Sequence, residues 1–407
     1  MRVLLINEEC GTGSTGKIAA AIAEDYQKQG HEVRIAYGRK AYVPEKYRPI
    51  AVRIGTDLGV RLHGVYTRVT DRHGLFSSAA TRKFLAWATE YDPDVLWMHN
   101  IHGYYLNYEL LFQWIKQRPN MEVKWTLHDC WAFTGHCVHF LVTKCERWKT
   151  GCHHCPGKKG YPASLLMDNS RDNYRRKKAA FTGVRKLSLI VPSQWLADLV
   201  GQSFLKDYPV QVVYNTINRE VFKPTPGDFR KRYGLEGKFL ILGVASVWYD
   251  RKGLPDFLRL AGLLDDSCRI VLVGLSEQQM KGLPKNVIGI RKTHNQAELA
   301  EIYTAADVLF NPTYEDNYPT VNLEAISCGT PVVTYRTGGS PESVVEGETG
   351  TVVERGNVNG LLEAVRTFEK ADREALRRRC REYAEANFDK QERYREYLKL
   401  YEDIAIG

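Results

Sequence analysis

Along almost the whole chain, short continuous apolar runs take turns with stretches whose apolar residues return every three to four positions. Strands and helices therefore alternate. Residues 2–7 (RVLLIN) form a strand-length run, residues 17–30 an amphipathic helix closed by Gly30, and residues 31–38 the next strand. This is the βαβ opening of a parallel sheet. Residues 45–92 are less informative, although 74–94 reads as a helix ending in an Asp-Pro-Asp turn. Beyond it the pattern predicts a strand, a His-rich turn and a helix over 94–111, then a strand over 122–129. A basic helix over 168–186, a strand over 187–193 and a helix over 194–205 follow. Residues 210–218 mark the crossing into a second half. There strands at 239–245, 268–274, 286–291, 307–312 and 331–336 alternate with helices after Gly253 and through 298–307. Such alternation predicts α/β architecture, with parallel sheets covered on both faces.

Length makes this two domains, since 407 residues exceed one ordinary core. The boundaries read as 1–205 and 206–385, with a charged terminal helix over 386–407. No run of 18 apolar residues occurs, so no transmembrane helix is expected. The chain enters a strand at once rather than a signal peptide, which predicts a reducing, cytoplasmic setting with few disulfides. A formal charge of +9 points to an anionic partner. Arg175, Arg176, Lys177 and Lys178 make a run that would dock on anionic lipid at the cytoplasmic membrane face or on a lipid diphosphate, against the commoner reading of a solvated face. Nucleic acid is disfavoured, because no aromatic residues interleave with that run.

The chemistry gathers at strand ends. In residues 310–331 (FNPTYEDNYPTVNLEAISCGTP) a strand stops at Pro312, and a helix starts with Pro319 at its first position and ends at Gly329. A helix terminus beyond a strand's carboxyl end favours phosphate. Glu315 or Asp316 before it and Glu324 within it would repel phosphate, so they suit sugar hydroxyls; the plainer reading is a capped helix with solvated acids. The loop Gly11–Lys17 matches G-x-x-x-x-G-K, yet Ile18 stands where a phosphate-binding loop needs Ser or Thr. Gly11, Gly13 and Gly16 match G-x-G-x-x-G without a clear acid about 20 residues on. His99, Asn100 and His102 follow one strand, and His128 with Asp129 follows the next. Asp129 would orient His128 or start a turn. Five cysteines fall between 130 and 155. Cys152-x-x-Cys155 with Cys137 and Cys145 predicts a structural zinc site in a Cys-rich insertion over 130–156; an iron–sulfur cluster, free thiols and disulfides are the alternatives.

These features together resemble glycosyltransferase family 4, retaining transferases of the GT-B fold, over nearly the whole chain. The family's Glu-x7-Glu motif is matched by Asp316 and Glu324, in the less common EDNYP flavour. The resemblance implies two Rossmann-like domains facing a cleft, an acceptor on the first and a UDP- or GDP-sugar donor on the second. It implies that Glu324 holds ribose, that Glu315, Asp316 and Asn317 lie at the donor sugar, and that the amides near Thr320, Val321 and Asn322 hold the diphosphate. Arg251-Lys252-Gly253 is similar to the family's Lys-Gly element, which stabilises the leaving diphosphate with no catalytic metal; Val247 stands where most members carry a further Arg. Thr216 and Asn218 likewise depart from the family's Asn-Gly-Ile/Val-Asp turn. By the same resemblance Gly13, Ser14, Thr15 and Gly16 lie against donor and acceptor, Gly338 and Gly339 border the donor, and His128 is a catalytic-site hydrogen-bonding residue. HDCWAFTGHC and the CxxCP ending are similar to transferases of bacterial surface-polysaccharide (colanic-acid-type) assembly, whose acceptors are glycans or lipid-linked glycans. A nucleotide-sugar epimerase, a zinc-stapled binding protein and a P-loop kinase are the competing readings.

Overall fold

The computed structural model describes residues 1–39 and 42–388. It divides into two compact units, Met1–Val213 and a second beginning at Tyr214. The first unit holds seven strands: β1 (Arg2–Asn7), β2 (Glu32–Tyr37), β3 (Ala51–Arg53), β4 (Val95–Met98), β5 (Glu122–Thr126), β6 (Leu187–Val191) and β7 (Val210–Val212). Its helices are α1 (Gly13–Lys28), α2 (Asp57–Thr70), α3 (Ser78–Tyr91), α4 (Tyr108–Lys116), α5 (Ser170–Phe181) and α6 (Gln194–Gly201). The second unit holds β8 (Phe239–Val244), β9 (Cys268–Val273), β10 (Val287–Ile290), β11 (Val308–Asn311), β12 (Val332–Tyr335) and β13 (Gly350–Val353). Its helices are α7 (Phe229–Arg232), α8 (Leu254–Ala261), α9 (Glu277–Met280), α10 (Gln296–Ala305), α11 (Thr320–Ser327), α12 (Val358–Lys370) and α13 (Arg373–Asn387).

Both sheets are parallel and doubly wound. The orders are β3-β2-β1-β4-β5-β6-β7 and β10-β9-β8-β11-β12-β13. Each reverses direction once, between β1 and β4 in the first and between β8 and β11 in the second. Ligands of such sheets bind outside the strands' carboxyl ends at that reversal. Apolar runs without alternation fit strands buried on both faces. In β8, Leu240 and Leu242 join one core while Ile241 joins the other. β7 pairs with β6 (Leu189 opposite Val210), so the first unit runs past the expected boundary at 205. Beyond Phe388 the terminal helix expected over 386–407 lies outside the described residues.

The Cys-rich stretch corrects two expectations. Among the described residues no group of three or more His, Cys, Asp or Glu side chains is placed to hold a metal, so the structural zinc site at Cys137, Cys145, Cys152 and Cys155 is withdrawn. The Cys137 and Cys155 sulfurs instead share a hydrogen bond at 3.4 Å, and Cys152 Sγ accepts from the Gly135 amide at 3.1 Å. Nor is 130–156 a separate insertion. Cys130, Trp131, Phe133, Phe140 and Trp148 belong to the core of the first unit. Lys177 on α5 fastens the start of this segment. Its ammonium, 1% exposed, donates to Trp131 O at 2.7 Å and Thr134 O at 3.0 Å and lies 3.5 Å from the Trp131 ring centre. The basic run is accordingly no uniform face. Lys177 points inward, Arg176 is bound to Asp172 and Glu109 at 2.9 Å each, and only Arg175 and Lys178 of the four are exposed.

Candidate functional site

In the second unit three loops meet beyond adjacent strands. Residues 245–253 follow β8, 312–319 follow β11 and 336–339 follow β12. They are tied together through backbone. Tyr314 N donates to Arg251 O at 2.7 Å, Arg251 Nη1 to Glu315 O at 3.3 Å, and Thr337 Oγ1 to Tyr314 O at 3.0 Å. Two glycines permit this closeness. A Cβ on Gly253 would stand 2.2 Å from Pro312 O, and one on Gly338 only 1.8 Å from Asp316 O. Gly338 also has φ +54°, in the left-handed region. Gly338→Ala is therefore expected to cost about 1–3 kcal/mol in urea denaturation, because it displaces the loop carrying Asp316.

The acids and cations sit within this frame. Lys252 Nζ is 2.5 Å from Asp316 Oδ2, both side chains being mostly buried, and Asp316 Oδ1 accepts from Asn317 N at 2.9 Å. Glu315 and Asn317 are buried beside them. Helix α11 begins one residue later than the sequence suggested: Pro319 is the residue before its first turn, and Thr320 opens it. Thr320 and Val321 present the first amides, whereas Asn322 N already donates to Pro319 O at 3.2 Å. The Asn322 side chain, fully buried, is a structural pin. It accepts from Asn311 Nδ2 at 2.9 Å and donates to Ser343 Oγ at 2.9 Å, locking β11, α11 and the turn after Gly339. Glu324, one turn further, accepts from Tyr303 Oη at 2.8 Å. Tyr303 sits in α10 within a helical apolar pattern, and nothing in that pattern marks its hydroxyl as an anchor. Val247, which stands where the resemblance leads one to expect a further Arg, is exposed, and Arg251 reaches the Glu315 carbonyl from the neighbouring turn.

The first unit presents a histidine cluster beyond β4 and β5. His99 Nδ1 and His128 Nε2 lie 3.1 Å apart with their rings stacked, and His99 is stacked on Trp97. Burial drives both imidazoles below their ordinary range, His128 to about 4, so at neutral pH they form a neutral donor–acceptor pair. Asp129 Oδ2 lies 3.0 Å from His102 Nε2, and its Oδ1 accepts from Trp131 N at 2.8 Å. Burial opposes the Asp129 charge, but the His102 charge and hydrogen bond, with the Trp131 amide, hold its pKa at about 2. Asn100 is held by its backbone, its N donating to Asn7 Oδ1 at 3.3 Å and its O accepting from Tyr105 Oη at 2.7 Å. Beyond β1, residues Gly13, Ser14, Thr15 and Gly16 form the first turn of α1. The buried Glu9, which the sequence reading passed over, lies with its carboxylate against Gly13 and accepts from Thr12 Oγ1 at 2.9 Å. A carboxylate at that terminus argues against a triphosphate there.

Comparison with known proteins agrees with this arrangement. Residues 15–221 match the family described as Glycosyltransferase Family 4, and residues 227–387 match Glycosyl transferases group 1. An Escherichia coli (strain K12) protein named as a colanic acid biosynthesis glycosyl transferase is 28% identical over 269 residues, 64% of each chain. A D-inositol 3-phosphate glycosyltransferase of Streptomyces bingchenggensis is 35% identical over 166 residues, 35% of this chain and 36% of that one. The chain thus spans less than two thirds of the length of these relatives. Among solved structures, sucrose-phosphate synthase of Thermosynechococcus elongatus aligns with a TM-score of 0.72 at 18% identity, over 100% of this chain and 99% of that one. HepE of Anabaena, solved with UDP, aligns with a TM-score of 0.68 at 17% identity, over 99% and 100%. These two likenesses are of fold. One family description covers half of this chain and the other most of the remainder, and the chain belongs to glycosyltransferase family 4.

Proposed function

We propose that the chain moves a sugar from a nucleoside diphosphate sugar to a hydroxyl of a glycan or lipid-linked acceptor, with retention at the anomeric carbon, in the assembly of a cell-surface polysaccharide. The observation that carries this reading is the meeting of Lys252, Asp316, Glu324 and the α11 amino terminus at one sheet reversal. Acids that accept from hydroxyls and cations that take up phosphate charge are what a sugar joined to a diphosphate requires. In this reading Glu324, held by Tyr303, accepts from the ribose, and Asp316 with Glu315 accepts from the donor sugar. Lys252, Arg251 and the α11 amides take up the charge of the departing diphosphate. The first unit carries the acceptor near His99, His102 and His128. HepE has been solved with UDP-glucose, which supports a UDP-linked donor before a GDP-linked one. A cytoplasmic setting belongs to the same proposal. The zinc-stapled binding protein loses its staple, and the kinase reading meets the Glu9 carboxylate.

Thermal shifts with UDP, GDP, their sugars and nucleoside triphosphates test the reading on the native chain and on Glu324→Ala. One diphosphate class is expected to raise Tm of the native chain by a few degrees at saturation, and the variant to lose most of that shift. Stabilisation by triphosphates alone, unchanged in Glu324→Ala, would reject it in favour of the Gly11–Lys17 loop.

A further inference from the structure

We infer that the first unit docks on an anionic lipid bilayer through α2 and residues 165–167. Helix α2 is amphipathic in the wrong sense for a core helix. Its buried residues are His63, Gly64 and Thr67, while Leu58, Leu62, Val65 and Val69 are exposed by 66%, 50%, 58% and 39%. Steps of four, three and four residues place these four on one stripe about 60° wide at 100° per residue. Beside it run Leu165, Leu166 and Met167, exposed by 67%, 70% and 51%. Leu165 N donates to Arg68 O at 2.8 Å and Met167 N to Val69 O at 3.3 Å, so the two elements form one surface. Single exposed apolar residues are ordinary; seven on two joined elements are not.

The charge around this patch names its partner. Arg61 and Arg68 are exposed along one edge of the stripe, and Lys158 and Lys159 belong to the loop that leads into Leu165. That loop is closed by Ser164 N donating to Lys158 O at 2.7 Å. The nearby acids are already engaged. Asp57 is 2.5 Å from Arg53, and Asp168 accepts from the amides of Cys155 and Ser170 at 2.6 and 3.0 Å. Apolar side chains rimmed by cations suit the boundary between acyl chains and anionic headgroups. A second copy of the chain would bring a like-charged rim against this one. Among the described residues no helix is long and apolar enough to cross a membrane, so the contact is interfacial.

Flotation with vesicles of phosphatidylcholine alone, or mixed equally with phosphatidylglycerol, tests this without reference to sugar transfer. The native chain is expected to float with the anionic vesicles and to be released by salt. Leu62→Glu with Leu166→Glu, and separately Arg61→Glu with Arg68→Glu, should each weaken binding by about tenfold or more. These side chains are exposed, so Tm should hold in both variants and separate lost docking from lost folding. Failure to float, equal binding to both vesicles, or binding indifferent to both pairs of substitutions would overturn the inference. A native dimer that the leucine variant splits, with no vesicle binding, would assign the face to a second copy instead.

Discussion

Lys252→Ala is expected to lower kcat for sugar transfer by about 10²- to 10³-fold and to lower Tm by no more than about a few degrees, since the pair is only partly buried. The ammonium contacts Asp316 at 2.5 Å from a short turn that the Tyr314 amide and the Glu315 carbonyl hold through Arg251. It therefore meets a developing charge without first having to be gathered from solvent. Its removal does two things. It takes away the cation, and it leaves the Asp316 carboxylate unbalanced where a diphosphate would have to lie. The double variant Lys252→Ala with Asp316→Asn separates the two. Neutralising Asp316 should restore part of the lost nucleotide affinity but little of kcat, giving a coupling of about 1–2 kcal/mol in KM. Asp316→Asn alone should lower kcat by roughly tenfold, because a neutral amide accepts less strongly from a sugar hydroxyl. If the two single effects simply add, Lys252 and Asp316 do not act on one ligand, and the donor site lies elsewhere.

The sequence exposes this part of the molecule because each element of it is local. A strand run ends at Pro312, an acid follows at Asp316, and Glu324 stands eight residues on inside a helix. Register along the chain alone places both acids at one strand edge. The doubly wound sheets are legible for a similar reason, since strands buried on both faces show as unbroken apolar runs. Other features depend on residues far apart. Nothing in EIYTAAD shows that Tyr303 reaches Glu324, and nothing near Asp129 shows that it pairs with His102. α2 escaped the reading because its apolar stripe faces outward, so its pattern fits no core. The cysteines misled most. CxxC spacing reports that sulfurs are near in sequence, whereas a metal site needs ligands converging in space. Here the local organisation comes from a lysine 22 residues beyond Cys155.

Lys177 gives the largest expected effect on stability. Lys177→Ala should cost about 3 kcal/mol, from the cavity and from two buried carbonyls left without a donor. Lys177→Met keeps the volume and removes the buried charge, so it should cost less, about 1 kcal/mol, despite losing the same hydrogen bonds. The pH dependence identifies the ammonium itself. Burial lowers the Lys177 pKa from 10.5 to about 7 in the folded chain, with Cys152 and Asp129 only partly opposing it. Between these values the unfolded chain holds a proton that the folded chain has released, so unfolding takes one up and stability rises with pH. Below about pH 7 both states are charged and the slope vanishes; above 10.5 both are neutral and it vanishes again. Subtracting urea stabilities of Lys177→Met from those of the native chain removes the titrations that do not sense Lys177, leaving its own together with the part of His136 and Cys152 that responds to its charge. The difference should climb in favour of the native chain at up to about 1.4 kcal/mol per pH unit from pH 7 upward. A flat difference from pH 7 to 10 would mean that Lys177 keeps its proton on folding. The Trp131 ring and the two carbonyls would then suffice to hold a buried cation, and the segment after β5 would be fastened by charge rather than by a neutral amine.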